Sequence, residues 1–135
     1  MTWIYKGKEL IEIPLGFIGF VYIITNLVND KKYIGKKNFY FVKYKQVKKK
    51  KKRTKIESDW KDYYSSSPFL KKDVEEFGKD KFKREILHLC SNKAQMNYLE
   101  LKEQIFREVL ERDDYYNDWI FVRIRKCSAL KGEKP

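Results

Sequence analysis

Apolar positions in this chain come in short runs separated by turn-forming residues. Gly19 to Thr25 (GFVYIIT) is β-branched and aromatic, and Lys32 to Gly35 (KYIG) is a second run of the same kind. Between them, Asn26 to Lys31 carries Asn29-Asp30, so the two runs predict a hairpin. Ser66-Ser67-Pro68 predicts a helix start, with serine as cap and proline in the first turn. Leu70, Val74 and Phe77 then recur at helical spacing before Gly78, a natural stop. Phe82 to Cys90 (FKREILHLC) reads as a third strand despite its charged start. Asn92 precedes a long helix over 93–112. At 100° per residue, Tyr98, Leu99, Leu101, Ile105, Phe106, Val109 and Leu110 share one broad face, with Glu100, Gln104 and Arg107 opposite. Asp113 to Asp118 reads as a turn and Trp119 to Ile124 (WIFVRI) as a last strand. No internal repeat is visible. The pattern predicts an α+β fold, a small mixed or antiparallel sheet of about three strands flanked by helices. The longest apolar stretch, Leu15 to Val28, is broken by glycines, a threonine and an asparagine, whereas a membrane span needs about 20 mostly apolar residues.

Charge adds what the pattern lacks. The 135 residues hold 31 Lys and Arg against 19 Asp and Glu, a formal net charge of +12. This is one domain's length of chain, read as a single domain over 1–126 with a polar tail over 127–135. Much of the excess sits in Lys48, Lys49, Lys50, Lys51 and Lys52, followed by Arg53. Such a block repels itself, and predicts a mobile insertion loop over about 43–57. A basic balance of this size points to a polyanion, nucleic acid first. Two cysteines and one histidine exclude a disulfide framework and a four-ligand zinc site, and fit a reducing, intracellular setting. Cys90 and Cys127 read as inert thiols and His88 as a satisfied strand residue.

The candidate chemistry lies in the first hairpin, where Tyr22 is followed by Tyr33 in Tyr33-Ile34-Gly35. Here the chain resembles the GIY-YIG nuclease family, with Phe20-Val21-Tyr22 standing for the first triplet and Tyr33-Ile34-Gly35 matching the second. The resemblance continues in order from Gly19 to Lys126. Ser58-Asp59-Trp60-Lys61, Tyr63-Tyr64-Ser65-Ser66-Ser67, Gly78 and Phe82 with Glu85-Ile86-Leu87 are similar to the middle of phage-type members. Tyr98-Leu99-Glu100-Leu101-Lys102 matches the helix that carries the family's acidic residue, and Tyr115-Tyr116-Asn117 its C-terminal turn.

The resemblance implies a DNA endonuclease using Mg²⁺ or Mn²⁺, of low or self-contained sequence specificity, acting in a host-cell cytoplasm with no membrane partner. Cutting both strands with one site would take a homodimer or two successive nicks. Tyr22 and Tyr33 would face the scissile phosphate, with Tyr22 as general base, and nearby positive charge would have to favour its phenolate. Glu100 would ligate the metal, as a hard oxygen donor. Glu103 is the competing acid on the same helix. Asn117 would stand near the phosphate or the metal. The family's phosphate-binding arginine, expected on a first helix, falls near Lys43, and no arginine lies between Tyr33 and Arg53. Lysine keeps the charge and loses the bidentate fork, so Lys43 or a folded-back Arg53 has to fill the role. Tyr40 and Tyr44 are candidates for the aromatic or histidine partner on that helix. Lys36, Lys37 and the lysine run with Arg53 are the candidate DNA contacts, the run through sequence-independent backbone attraction. Tyr63, Tyr64, Trp60 and Trp119 are alternatives for stacking on bases, although packing is the better account of the tryptophans. A second reading, a member of the same fold that binds without cutting, rests on the missing arginine.

Overall fold

The computed structural model describes residues 2–120. Its sheet has five strands in the order β2-β1-β7-β3-β4, with β1 parallel to β7 and every other pair antiparallel. The strands are β1 (Trp3–Tyr5), β2 (Lys8–Glu9), β3 (Gly19–Asn26), β4 (Lys32–Asn38) and β7 (Phe82–Cys90). The α+β class and the mixed sheet hold, but five strands replace the expected three. The additional pair, β1 and β2, is too short for a periodic signal. Trp3 fixes it, buried and donating its indole N–H to the Trp60 carbonyl at 2.6 Å.

β3 lies inside the sheet and is covered on both faces, so almost every side chain of GFVYIITN is buried. Phe20, Tyr22 and Ile24 enter one core with Trp3, Phe39 and Trp60. Val21 and Ile23 enter a second core with Ile34, Met96 and Leu99. Helix α1 (Pro68–Phe77) covers the first core through Leu70 and Val74. Ser67 caps it, its hydroxyl accepting from the Leu70 N–H, and Gly78 ends it at φ 93°. Helix α2 (Lys93–Phe106), capped by Asn92, covers the second core.

Two segments depart from the sequence reading. The Lys-rich segment over about 43–57 is not a loop but a two-stranded ribbon, β5 (Tyr40–Val47) and β6 (Lys50–Glu57), paired over its whole length. Lys48 and Lys49, both at positive φ (49° and 64°), form the two-residue turn that matches strand twist. That turn normally carries Asn or Gly, which is why the sequence hides it. Helix α2 ends at Phe106, short of residue 112, and its buried face is rotated from the expected one. Met96, Leu99 and Gln104 are buried, whereas Ile105 and Phe106 are 61% and 84% exposed. Rotation brings the polar stripe Asn97, Glu100, Gln104 over strand β4, whose lysine and backbone offer it partners. Trp119 and Ile120 are not in a strand, and the rest of the expected final strand, with Cys127 and the tail, lies outside the described residues. No helix among the described residues is long and apolar enough to cross a membrane.

Tyr116 ties the C-terminal turn to the first core. Its hydroxyl donates to Asp73 at 2.6 Å and accepts from the buried Asn26 amide at 3.0 Å. Burial first, and then Asp73, pushes the phenol up to about 12. An unfolded tyrosine titrates near about 10, so this stabilisation is complete below pH 10 and drains away as pH rises toward 12. The urea midpoint is expected to fall across that window, and to fall less in Tyr116→Phe; equal slopes would remove Tyr116 as the source.

Candidate active site

The site forms where the two faces of the sheet meet around its edge strand. Tyr22 stands opposite Gly35 and Ile24 opposite Tyr33, so the two tyrosines are diagonal neighbours on the α1 face of the hairpin. Their ring centroids lie 6.2 Å apart, and Tyr63, from the segment before α1, stands edge-on to Tyr22 at 6.0 Å. The side chains of Lys36 and Glu100 approach from the α2 face, with Lys36 Nζ 3.9 Å from Glu100 Oε1 and bonded also to Asn97. A cavity of about 480 Å³ joins the two sides, lined by Tyr22, Tyr33, Lys36, Ser66, Glu100 and Asp118 among others.

Gly35 makes this meeting possible. A Cβ at that position would lie 2.5 Å from Tyr22 Oη and 2.8 Å from the Tyr33 ring. The glycine of Tyr33-Ile34-Gly35 is therefore the space in which the Tyr22 hydroxyl sits. Gly35→Ala is expected to destabilise the fold by about 1–3 kcal/mol through overpacking and to displace Tyr22. Urea titration together with cleavage reads both effects, and an unchanged enzyme would show that the strand simply yields.

The electrostatics push the phenols upward. Tyr22 is held well above the ordinary phenol range, by burial first, then by Tyr63 and Tyr33, with Glu100 adding to the effect. Tyr33 and Tyr63 are raised as well, chiefly by burial, although hydrogen bonds to Ser66 pull both back. The hydroxyls of Tyr22, Tyr63, Ser66 and Tyr33 are thus electrostatically coupled. Glu100 is raised by burial and partly restored by Lys36. No group of three or more His, Cys, Asp or Glu stands close enough to cage a metal among the described residues. What the cavity offers is the recessed Glu100 carboxylate with Asp118 at the rim, a set suited to a hard cation that keeps most of its waters.

Of the sequence candidates, Tyr22, Tyr33, Lys36, Glu100, Asn117 and the exposed Trp119 line this cavity. Glu103 does not; it accepts from Arg107 and pairs with His88, both at 2.9 Å. Asn117 is buried and engaged on both sides of its amide, accepting from Ile34 N–H at 3.0 Å and donating to Ile34 C=O at 2.9 Å. It holds the edge strand in place, with Gln104 also donating to Ile34 C=O at 3.3 Å. Lys43 and Arg53 lie on the ribbon, not on a helix, and neither lines the cavity. The expectation that one of them replaces the arginine fails because a β-ribbon occupies the segment where a helix was expected. Lys37 is the other cation on the tyrosine side, 4.0 Å from the Tyr63 ring centroid and 2.6 Å from Asp59. Tyr40 packs beside the first core and Tyr44 is 68% exposed, so Tyr63 is the third tyrosine of the site. Its sequence signal is the Tyr63-Tyr64 pair directly before the serine run. Trp60 is fully buried, which leaves packing as its role.

Arg84 supports Tyr63 from behind. Its guanidinium lies 4.2 Å from the Tyr64 ring centroid and 4.7 Å from Trp3, and donates to the Tyr63 carbonyl at 2.9 Å.

No curated protein and no solved structure gives a significant match. One family model, described as "Putative endonuclease segE, GIY-YIG domain", matches residues 3–120, which takes in the sheet, both helices and every residue lining the tyrosine cavity. The chain belongs to the GIY-YIG endonuclease family.

Proposed function

We propose that this protein is a divalent-metal-dependent DNA endonuclease that hydrolyses a phosphodiester in the Tyr22–Glu100 cavity. The observation that carries the reading is the convergence of two tyrosines, a lysine and a recessed carboxylate on one cavity, with Tyr63 from a further segment standing edge-on to Tyr22. Glu100, with Asp118 at the rim, would hold Mg²⁺ or Mn²⁺. When bound, such a cation supplies charge neutralisation at the phosphate and at the leaving oxygen.

The protein groups do the rest. Burial holds the Tyr22 phenol well above the ordinary range, which favours a relay over a free phenolate base. As a relay it accepts a proton from the attacking water while passing its own to Tyr63, whose ring lies nearer the surface and which releases its own proton to bulk water. Tyr33 and Lys36 orient and neutralise the phosphate from opposite sides of the edge strand. Asn117 keeps Ile34, and with it Tyr33 and Gly35, in register. A reading without cleavage draws on one observation, that no arginine among the described residues lines the cavity.

Plasmid DNA incubated with Mg²⁺ or Mn²⁺, against an EDTA control, separates the two. Metal-dependent nicking is expected. Tight binding with no cleavage under either metal would establish the binding-only reading instead.

A further inference from the structure

The β5–β6 ribbon carries nine cations against a single carboxylate, Glu57, within 18 residues of a chain whose net charge is +12. That acid stands at the base of the ribbon, opposite Tyr40, and leaves the outer part wholly basic. No ion pair engages any ribbon cation among the described residues. Eight residues per strand give an arm about 25 Å long, and a two-stranded ribbon fits the roughly 12 Å width of a DNA major groove.

Register divides the ribbon into two faces. Tyr40, Val42, Tyr44, Lys51, Arg53 and Lys55 share one of them, and Phe41, Lys43, Lys50, Lys52, Thr54 and Ile56 share the other. At the base, the first face turns toward the start of α2: Tyr40, Val42, Arg53 and Lys55, joined at the edge by Phe41 of the other face, line a groove closed by Ser91, Asn92 and Lys93. The second face continues the tyrosine side of the sheet. Lys37 links the two surfaces, with its Nζ 4.0 Å from the Tyr63 ring centroid and 5.1 Å from that of Phe41. Phe41 and Ile56, a cross-strand pair 43% and 40% exposed, add an apolar step between the cavity and the lysines.

We propose that the β5–β6 ribbon is a docking arm for duplex DNA that lies in the major groove and meets it through the Phe41–Lys43–Lys50–Lys52 face alone, so that the bound duplex runs on over Lys37 to the tyrosines. The proposal rests on the nuclease reading of the cavity and adds the path by which substrate reaches it. Charge alone would make both faces equivalent. Continuity with the tyrosine side makes them unequal.

The test compares two charge-matched variants of the full chain on a short blunt duplex in EDTA: Lys43→Gln with Lys50→Gln and Lys52→Gln, and Lys51→Gln with Arg53→Gln and Lys55→Gln. The first is expected to weaken binding at least about tenfold and to reduce the salt slope by up to about 2.7, at 0.9 per lost phosphate contact. The second is expected to weaken it less than about threefold. Acetylation of wild-type lysines with and without duplex gives an answer independent of how either variant folds: Lys43, Lys50 and Lys52 become protected while Lys51 and Lys55 stay reactive. Equal losses and uniform protection, or a larger loss in the second variant, would overturn the face assignment and leave the nuclease reading intact. Failure of the wild type to bind duplex at all would remove both.

Discussion

Glu100→Gln is expected to fold, to bind duplex DNA in EDTA as tightly as the wild type, and to cut at least about a hundredfold more slowly. The magnitude follows from the metal-site rule that even outer partners of a ligand cost about 10–100-fold, so removal of the recessed donor itself costs no less. Glutamine keeps the shape and removes the charge. Lys36 retains Asn97 as a partner, and a recessed carboxylate raised by burial is replaced with a neutral amide, so no loss of stability follows. Glu103→Gln, three residues further along the same helix, is the control, because that acid serves His88 and Arg107 outside the cavity. Wild-type cleavage by Glu100→Gln would end the assignment, and equal losses in both variants would point to damage to α2 instead of loss of a ligand.

Tyr22→Phe separates chemistry from packing. The ring stays among Trp3 at 5.2 Å and Phe20 at 6.0 Å, and the lost hydroxyl bond to Tyr63 costs only about 1 kcal/mol in urea. Cleavage is expected to fall by about 10²–10⁴, the usual contribution of a positioned proton-transfer group. Tyr63→Phe breaks the next link of the same relay and is expected to reduce single-turnover cleavage in the same direction by a smaller factor, because water can take the proton at the more open end. A Tyr22→Phe protein within threefold of wild type would show that the relay runs elsewhere.

The sequence was most legible where one physical signal dominated. Strand β3 is a β-branched and aromatic run, β4 follows it across a turn with Tyr33-Ile34, β7 carries Phe82, Ile86, Leu87 and Leu89, and α1 is bounded by Ser67-Pro68 and Gly78, so these elements follow from local chemistry. Tyr22, Tyr33 and Glu100 were found through family resemblance, and the cavity does bring them together. What stayed hidden depended on partners remote in the chain. β1 is a strand because it pairs with β7, far along the sequence. The ribbon lacked both an apolar alternation and a turn residue, since lysines occupy its two positive-φ positions. The face of α2 is not the one its apolar periodicity predicts, because hydrophobicity is not the only reason for a side chain to turn inward. Gln104 turns inward to reach a backbone carbonyl of β4, and Glu100 lies one turn before it on the same side. Tyr63 reads in the sequence only as a base-stacking residue, because nothing local indicates that its ring stands against Tyr22.

The contact between Asn117 and Ile34 reaches beyond the cavity. β4 is the outer strand of the sheet, and such an edge ordinarily invites another chain to add a strand. Here the chain's own C-terminal turn occupies the vacancy: Lys32 exchanges main-chain hydrogen bonds with Asp114 and Tyr116, and Ile34 gives both its polar groups to the Asn117 amide. Sheet extension along this stretch is thereby closed. Two copies that cut opposite strands of one duplex would have to associate through some other surface, leaving the mouth of each cavity turned toward DNA.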